Sequence, residues 1–284
     1  MCLNSQTLQV SILSLFIFHI LIADSFFNIK KYYLAGIYYN RAFNNNTGYF
    51  TDFYRIRGAL SWTYCNNIDS AIFNLYAVIY APGFSDYGRI YNLFRNTNIC
   101  NKKEFKKILR YCKKSELNKN KPKNEVVKYI LDSIYLVDQS TRSIFNDTNV
   151  YAINNSMSHD KSNINIIDSL YNIHGLFSKE EIGYKGSIAQ FLVIQHSELG
   201  IQQKWLKRIS KAVNDCILTP ECYALLKDRV LIAKGKKQIY GTQIFFDAKL
   251  NKYIPYPIKD ENKVNTRRLM IGMNRLETYL LGYN

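Results

Sequence analysis

Apolar residues recur at three- and four-residue spacing over most of the chain and give way to a two-residue alternation near the C-terminus. That pattern confines the fold to helices packed on helices with one small sheet. The alternation covers Gln238–Phe246 and Lys252–Ile258, where aromatic and β-branched residues flank a polar turn, and it predicts a β-hairpin. The fold class expected is mainly α: an N-terminal region of helical hairpins, then a helical domain carrying the small hairpin. With 284 residues, of which 47% are hydrophobic and 21% charged, a sizeable core can be buried in one large or two smaller domains.

Residues 1–25 read as a signal peptide. Leu8–Ala23 is largely apolar, and ~15 residues suit a secretory h-region better than a span of roughly 20. Ala23 and Ser25 place small residues at −3 and −1 of a cut before Phe26. Met1–Thr7 holds no Lys or Arg, so an uncleaved anchor and a buried helix stay open as alternatives. The expected location is exported: periplasmic, cell-surface or secreted. A membrane partner is expected only if the segment is uncleaved.

Residues 26–114 read as helical hairpins: Tyr32–Phe43, Asp52–Cys65 and Ala71–Tyr80, the last ended by Pro82-Gly83, with Lys103–Tyr111 as a closing helix. The run Ala59–Leu75 resembles a tetratricopeptide-type repeat, in which small residues let paired helices approach closely. Only this unit is clear, and an array needs three or more. The resemblance implies a protein partner for this region. Residues 115–125, polar and proline-containing, read as a linker to a domain at 126–282.

The formal net charge of +16 arises in a chain rich in Lys, Asn, Ile and Tyr together, the bias of an AT-rich genome, which argues against a dedicated nucleic-acid site. Cleavage would leave five cysteines, an odd number that argues against a disulfide framework; Cys216 and Cys222 could pair across Thr219-Pro220. Neither a CxxC nor an HExxH string points to a metal, and neither a Walker loop, a Rossmann fingerprint nor a nucleophile elbow names a cofactor.

In 126–282, helices are expected at Glu125–Phe145, Ile164–Ile173, Lys185–Val213 and Glu221–Ala233, and as one or two short pieces over Thr266–Leu281 around Gly272. Polar signals punctuate them in a fixed order: Asp138-Gln139 with Arg142, Gly175, Gln195-His196, Gln202-Gln203-Lys204, the run Ala224–Val230, the run Gly235–Gln243, Pro257–Asp260, Val264–Arg268 and Gly272. This order and spacing resembles domain-of-unknown-function family 6624. The resemblance implies a mixed but mainly helical domain and carries no chemistry with it. Leu176-Phe177 stands where the family often has Trp-Pro, and Lys249–Lys252 lacks the glycine common in its hairpin turn.

His196 is the candidate acid/base, because an imidazole exchanges protons near neutrality; a hydrogen-bonded core histidine is the alternative. Asp138 and Arg142 share a helix face at i,i+4, with Gln139 beside them, and Asp228 and Arg229 could meet them across helices. Such pairs hold anionic substrates or simply brace helices. Period two puts Gln238 and Tyr240 on one face of a strand and Gln243 on the other, a polar face suited to a pocket or to satisfying helix ends. Gln195 and Arg268 complete the candidate ligand-binding set. Three readings follow: a non-catalytic binding or scaffold protein, an enzyme on a polar or anionic substrate, and a charge-driven surface binder.

Overall fold

The computed structural model describes residues 5–44, 52–80, 86–143 and 150–283, with side chains described except at 5–13, 44, 141–143 and 150–159. The chain is mainly helical with one antiparallel two-stranded hairpin. Its elements are α1 (Ser5–Asn28), α2 (Tyr32–Asn44), α3 (Asp52–Tyr64), α4 (Ile68–Ile79), α5 (Tyr87–Phe94), α6 (Lys103–Lys119) and α7 (Glu125–Ser143). They continue with α8 (Val150–His174), α9 (Lys179–His196), α10 (Leu199–Asn214), α11 (Pro220–Ala233), β1 (Ile244–Asp247), β2 (Lys252–Pro255), α12 (Val264–Leu269) and α13 (Leu276–Leu280). Two compact units form, Met1–Lys113 with Asn265–Asn284, and Lys114–Val264.

In the first unit, consecutive helices pack as α1 on α2, α2 on α3 and α3 on α4. Phe16, Ile20 and Ala23 of α1 are buried with Ala35, Tyr39, Ala42 and Phe43 of α2. The apolar run expected as an export signal is thus, in the chain that retains it, one layer of a helical hairpin. Leu15, Ile17, Phe18 and Leu21 remain exposed on it. Small residues set the helix spacing: a Cβ on Gly36 would lie 2.6 Å from the Trp62 indole, and Ala59 and Ala71 are fully buried. Asn67 starts α4 by accepting from the Ser70 amide at 3.2 Å. No described helix is long and apolar enough to cross a membrane.

The second unit is built around Leu131, Ile134, Ile164, Ile167, Ile182, Phe191, Ile194, Trp205, Ile209 and Leu226. At about 1.5–3 kcal/mol per fully buried large apolar side chain, this cluster is its principal source of stability. The segment expected as a linker is largely helical, since α6 runs to Lys119; the connection shortens to Asn120–Asn124, and Asn124 then caps α7 by accepting from the Val127 amide at 3.0 Å. Pro220 opens α11 at its first turn. Gly235, at φ +66°, closes it: Gly235 N–H donates to Ile232 O and Lys236 N–H to Leu231 O, a left-handed stop that a side chain would strain.

Two expectations are corrected and one open alternative is closed. The helix expected over Lys185–Val213 is two, α9 and α10, because Ser197 adopts an extended backbone (φ −70°, ψ 167°). The Gln202 amide donates to the carbonyls of Gln195 (2.9 Å) and Ser197 (2.8 Å) across that break. Apolar periodicity runs through both helices and conceals it. The strand expected over Gln238–Phe246 exists only from Ile244, paired through Ile244↔Pro255 to Asp247↔Lys252. Gln238–Gln243 is a loop, with a single bridge from Gln238 to Ile258. Cys216 and Cys222, the possible disulfide, are both free and buried.

Candidate functional site

The C-terminal polar motifs assemble into two separate kinds of arrangement. The first is built on α11. Asp228, fully buried, accepts from the amides of Ile239 (2.7 Å), Tyr240 (3.0 Å) and Thr242 (3.1 Å) and from the Thr242 hydroxyl (3.0 Å). A carboxylate is the one side chain that can take this many donors and offer none in return. The backbone amides that a longer strand would have spent on a ladder are spent on Asp228 instead, which is why the strand stops short of Gln243.

Gln238 completes that loop from within. Fully buried, its Nε2 donates to the carbonyls of Gln243 (2.9 Å) and Tyr256 (2.8 Å), and its Oε1 accepts from the Gln243 amide (2.9 Å). Its backbone N–H donates to Pro257 O, and the Lys259 amide donates to its carbonyl. The reading of Gln238 and Tyr240 as one polar strand face is therefore overturned. Gln238 ties the loop to the segment after β2, and Tyr240 takes part through its backbone. Gln243 Nε2 donates to the Thr242 hydroxyl at 3.1 Å. Arg229 follows Asp228 on α11 and is half-buried.

The second arrangement joins α7 to α9. His196 Nδ1 lies 2.8 Å from Asp138 Oδ1, with the Asp138 side chain 1% exposed and the His196 side chain 13% exposed. Gln139 Nε2 donates to the other carboxylate oxygen at 2.9 Å. The accepting carboxylate calls for a proton on Nδ1, and in the neutral imidazole this tautomer leaves the lone pair on Nε2. His196 is the last residue of α9, and the Gln202 contacts just beyond it fix where that helix ends. The neighbouring Gln195 turns inward, with its Oε1 buried and without a hydrogen-bond partner.

Two members of the expected set are not placed with these groups. The Arg142 side chain lies outside the described residues. Arg268 belongs to the first unit, where it is 1% exposed, donates from Nε to Asn274 O and stacks 4.7 Å over the Tyr279 ring. It braces the turn between α12 and α13. Among the described residues, no group of three His, Cys, Asp or Glu side chains could hold a metal ion.

Two further amides matter that the motif reading left out of its site set. Gln202 positions the end of α9, as above. Gln190, 1% exposed, accepts from the Phe177 amide and donates to the Phe177 carbonyl, both at 3.0 Å, and so pins the Leu176-Phe177 segment to α9. A glutamine inside an apolar helical run is the only sequence trace of such a clamp. Cys222 is an inert neighbour: burial pushes its thiol up to about 12.

A family model described as a family of unknown function, DUF6624, matches residues 133–283, just over half of the chain. The match covers both polar arrangements and continues past Val264 into the segment that groups with the first unit. No curated protein matches the chain, and no solved structure does.

Proposed function

Taking as premise that the chain belongs to the DUF6624 family of unknown function, we propose that it is an exported, non-catalytic binding or scaffold protein whose tetratricopeptide-like N-terminal hairpins contact a protein partner. The observation that carries this reading is the inward use of the most distinctive motif. Asp228 and Gln238 spend their hydrogen-bonding groups on the chain's own backbone, which leaves no complement for a substrate there. The paired α2–α3 and α3–α4 helices with small residues at their contacts are the surface offered to the partner.

The alternative, an enzyme acting on a polar or anionic substrate, is favoured by one feature. The Asp138–His196 contact orients an imidazole with a free Nε2, as general acid–base chemistry requires. Hydrolysis of a panel of chromogenic phosphate, carboxylate and glycosyl esters by wild type and His196→Ala decides between the two. Equal background rates are expected. A rate present in wild type and lost in the variant would overturn the non-catalytic reading.

Export rests on the Leu8–Ala23 run, and it has a structural consequence. A cut before Phe26 removes Asp24, which accepts from the Tyr39 hydroxyl and lies 3.4 Å from Arg57. N-terminal sequencing of the protein from the extracytoplasmic fraction should begin at Phe26; an intact Met1 start there would refute cleavage.

A further inference from the structure

We propose that the cavity under Arg55 in the first unit binds a small oxyanion, a phosphate or carboxylate group. The cavity, of about 110 Å³, is lined by Asn40, Phe43, Arg55, Ser70, Asn274 and Arg275 together with other neutral side chains, and among the described residues no acidic side chain lines it. Its occupant therefore meets two guanidinium groups and several neutral donors.

Arg55 is the unusual member. Its guanidinium carbon sits 4.2 Å over the Phe43 ring, and its Nη1 is sealed from solvent with no hydrogen-bond partner. An arginine carries five N–H donors in a rigid fork shaped for a planar or tetrahedral oxyanion. Burying one without an acceptor is costly, and folded proteins avoid it unless a partner arrives. Asp52, one turn earlier on α3, attracts Arg55 but is shared with Arg89. Burial outweighs that attraction and draws the Arg55 guanidinium down to about 10.

The other groups fit the same ligand. Asn40 Oδ1 is already engaged by the Asn74 amide at 3.2 Å, which leaves the Asn40 NH2 as a donor. Ser70 adds a hydroxyl. Arg275 is exposed, so it supplies a second positive charge that solvent still reaches. A cationic stack on an aromatic ring, neutral donors and a second arginine recognise a singly or doubly charged oxyanion. The size of the cavity excludes a polymer, so this inference is independent of any protein partner of the same unit.

Isothermal titration calorimetry of the full chain at constant ionic strength, with inorganic phosphate in one arm and acetate in the other, tests it. Saturable one-to-one binding of one anion is expected, and the arm that responds separates a phosphate group from a carboxylate. Arg55→Met should weaken that binding at least tenfold, Arg55→Lys less, and Arg275→Gln about threefold. The rise in melting temperature that the binding anion gives to wild type should disappear in Arg55→Met, which removes the guanidinium whose sealed Nη1 lacks an acceptor. Absence of saturable heat with both anions overturns the proposal, as does binding unchanged by Arg55→Met. Should Arg55→Met fail to fold, Arg55→Lys and Arg275→Gln decide, and unaltered affinity in both rejects the site.

Discussion

Two buried carboxylates of the second unit, Asp228 and Asp138, show how differently one functional group is used. Asp228 faces backbone amides and a hydroxyl, all fixed by the loop that follows α11. Among the described residues, Asp138 is met by the side chains of Gln139 and His196. The first arrangement fixes the path of the chain and leaves nothing unspent. The second leaves the chain path to the helices and fixes instead the orientation of a ring with an unused nitrogen. A carboxylate answered by backbone is architecture; one answered by an imidazole can also serve chemistry or recognition.

The sharpest way to break this comparison is Asp228→Ala. It strands three amides and a hydroxyl around a fully buried position, and should cost about 3–5 kcal/mol in urea unfolding of the whole chain. A loss under 1 kcal/mol would mean that water replaces the carboxylate and that the loop does not depend on it. Gln238→Leu is the next largest, about 2–3 kcal/mol, because it removes two donated bonds and one accepted bond while keeping the volume. Amide exchange at Gln243 should accelerate in that variant, since its N–H loses the Gln238 Oε1 acceptor, while exchange within α9 stays unchanged.

The helical part of this architecture is legible in the sequence because apolar periodicity is local. The starts expected at Tyr32, Asp52 and Glu125 are the observed starts of α2, α3 and α7. What is not legible depends on partners beyond one helical turn. The amides of Ile239, Tyr240 and Thr242 leave the strand for a carboxylate 11 to 14 residues upstream. The split at Ser197 rests on a glutamine five residues downstream whose helix repeats the same apolar period. Of the candidate site, the pairing of His196 with Asp138 spans 58 residues. The motif order marks both residues as special without saying that they meet. Arg55 left no trace, because an arginine on an amphipathic helix reads as solvated face until the ring beneath it and the cavity beside it are seen.

The smallest expected effect is the most informative about the second carboxylate. Asp138→Asn keeps shape and volume but gives His196 Nδ1 an amide that can donate as well as accept. Stability should fall by only about 1 kcal/mol, because the contacts weakened at His196 and Gln139 are to side chains and the amide can still accept from both. The imidazole tautomer should respond far more. With a carboxylate partner, Nδ1–H is enforced; with the amide turned to donate, the proton moves to Nε2 and the free lone pair is lost. The chain has four histidines, so long-range nitrogen–proton NMR on histidine-labelled protein resolves His196 once His196→Ala identifies its signals. A tautomer change with intact stability keeps the two carboxylates in separate roles. If instead the tautomer stays put and the stability loss approaches that of Asp228→Ala, Asp138 is architecture as well, and the orientation of His196 has no special standing.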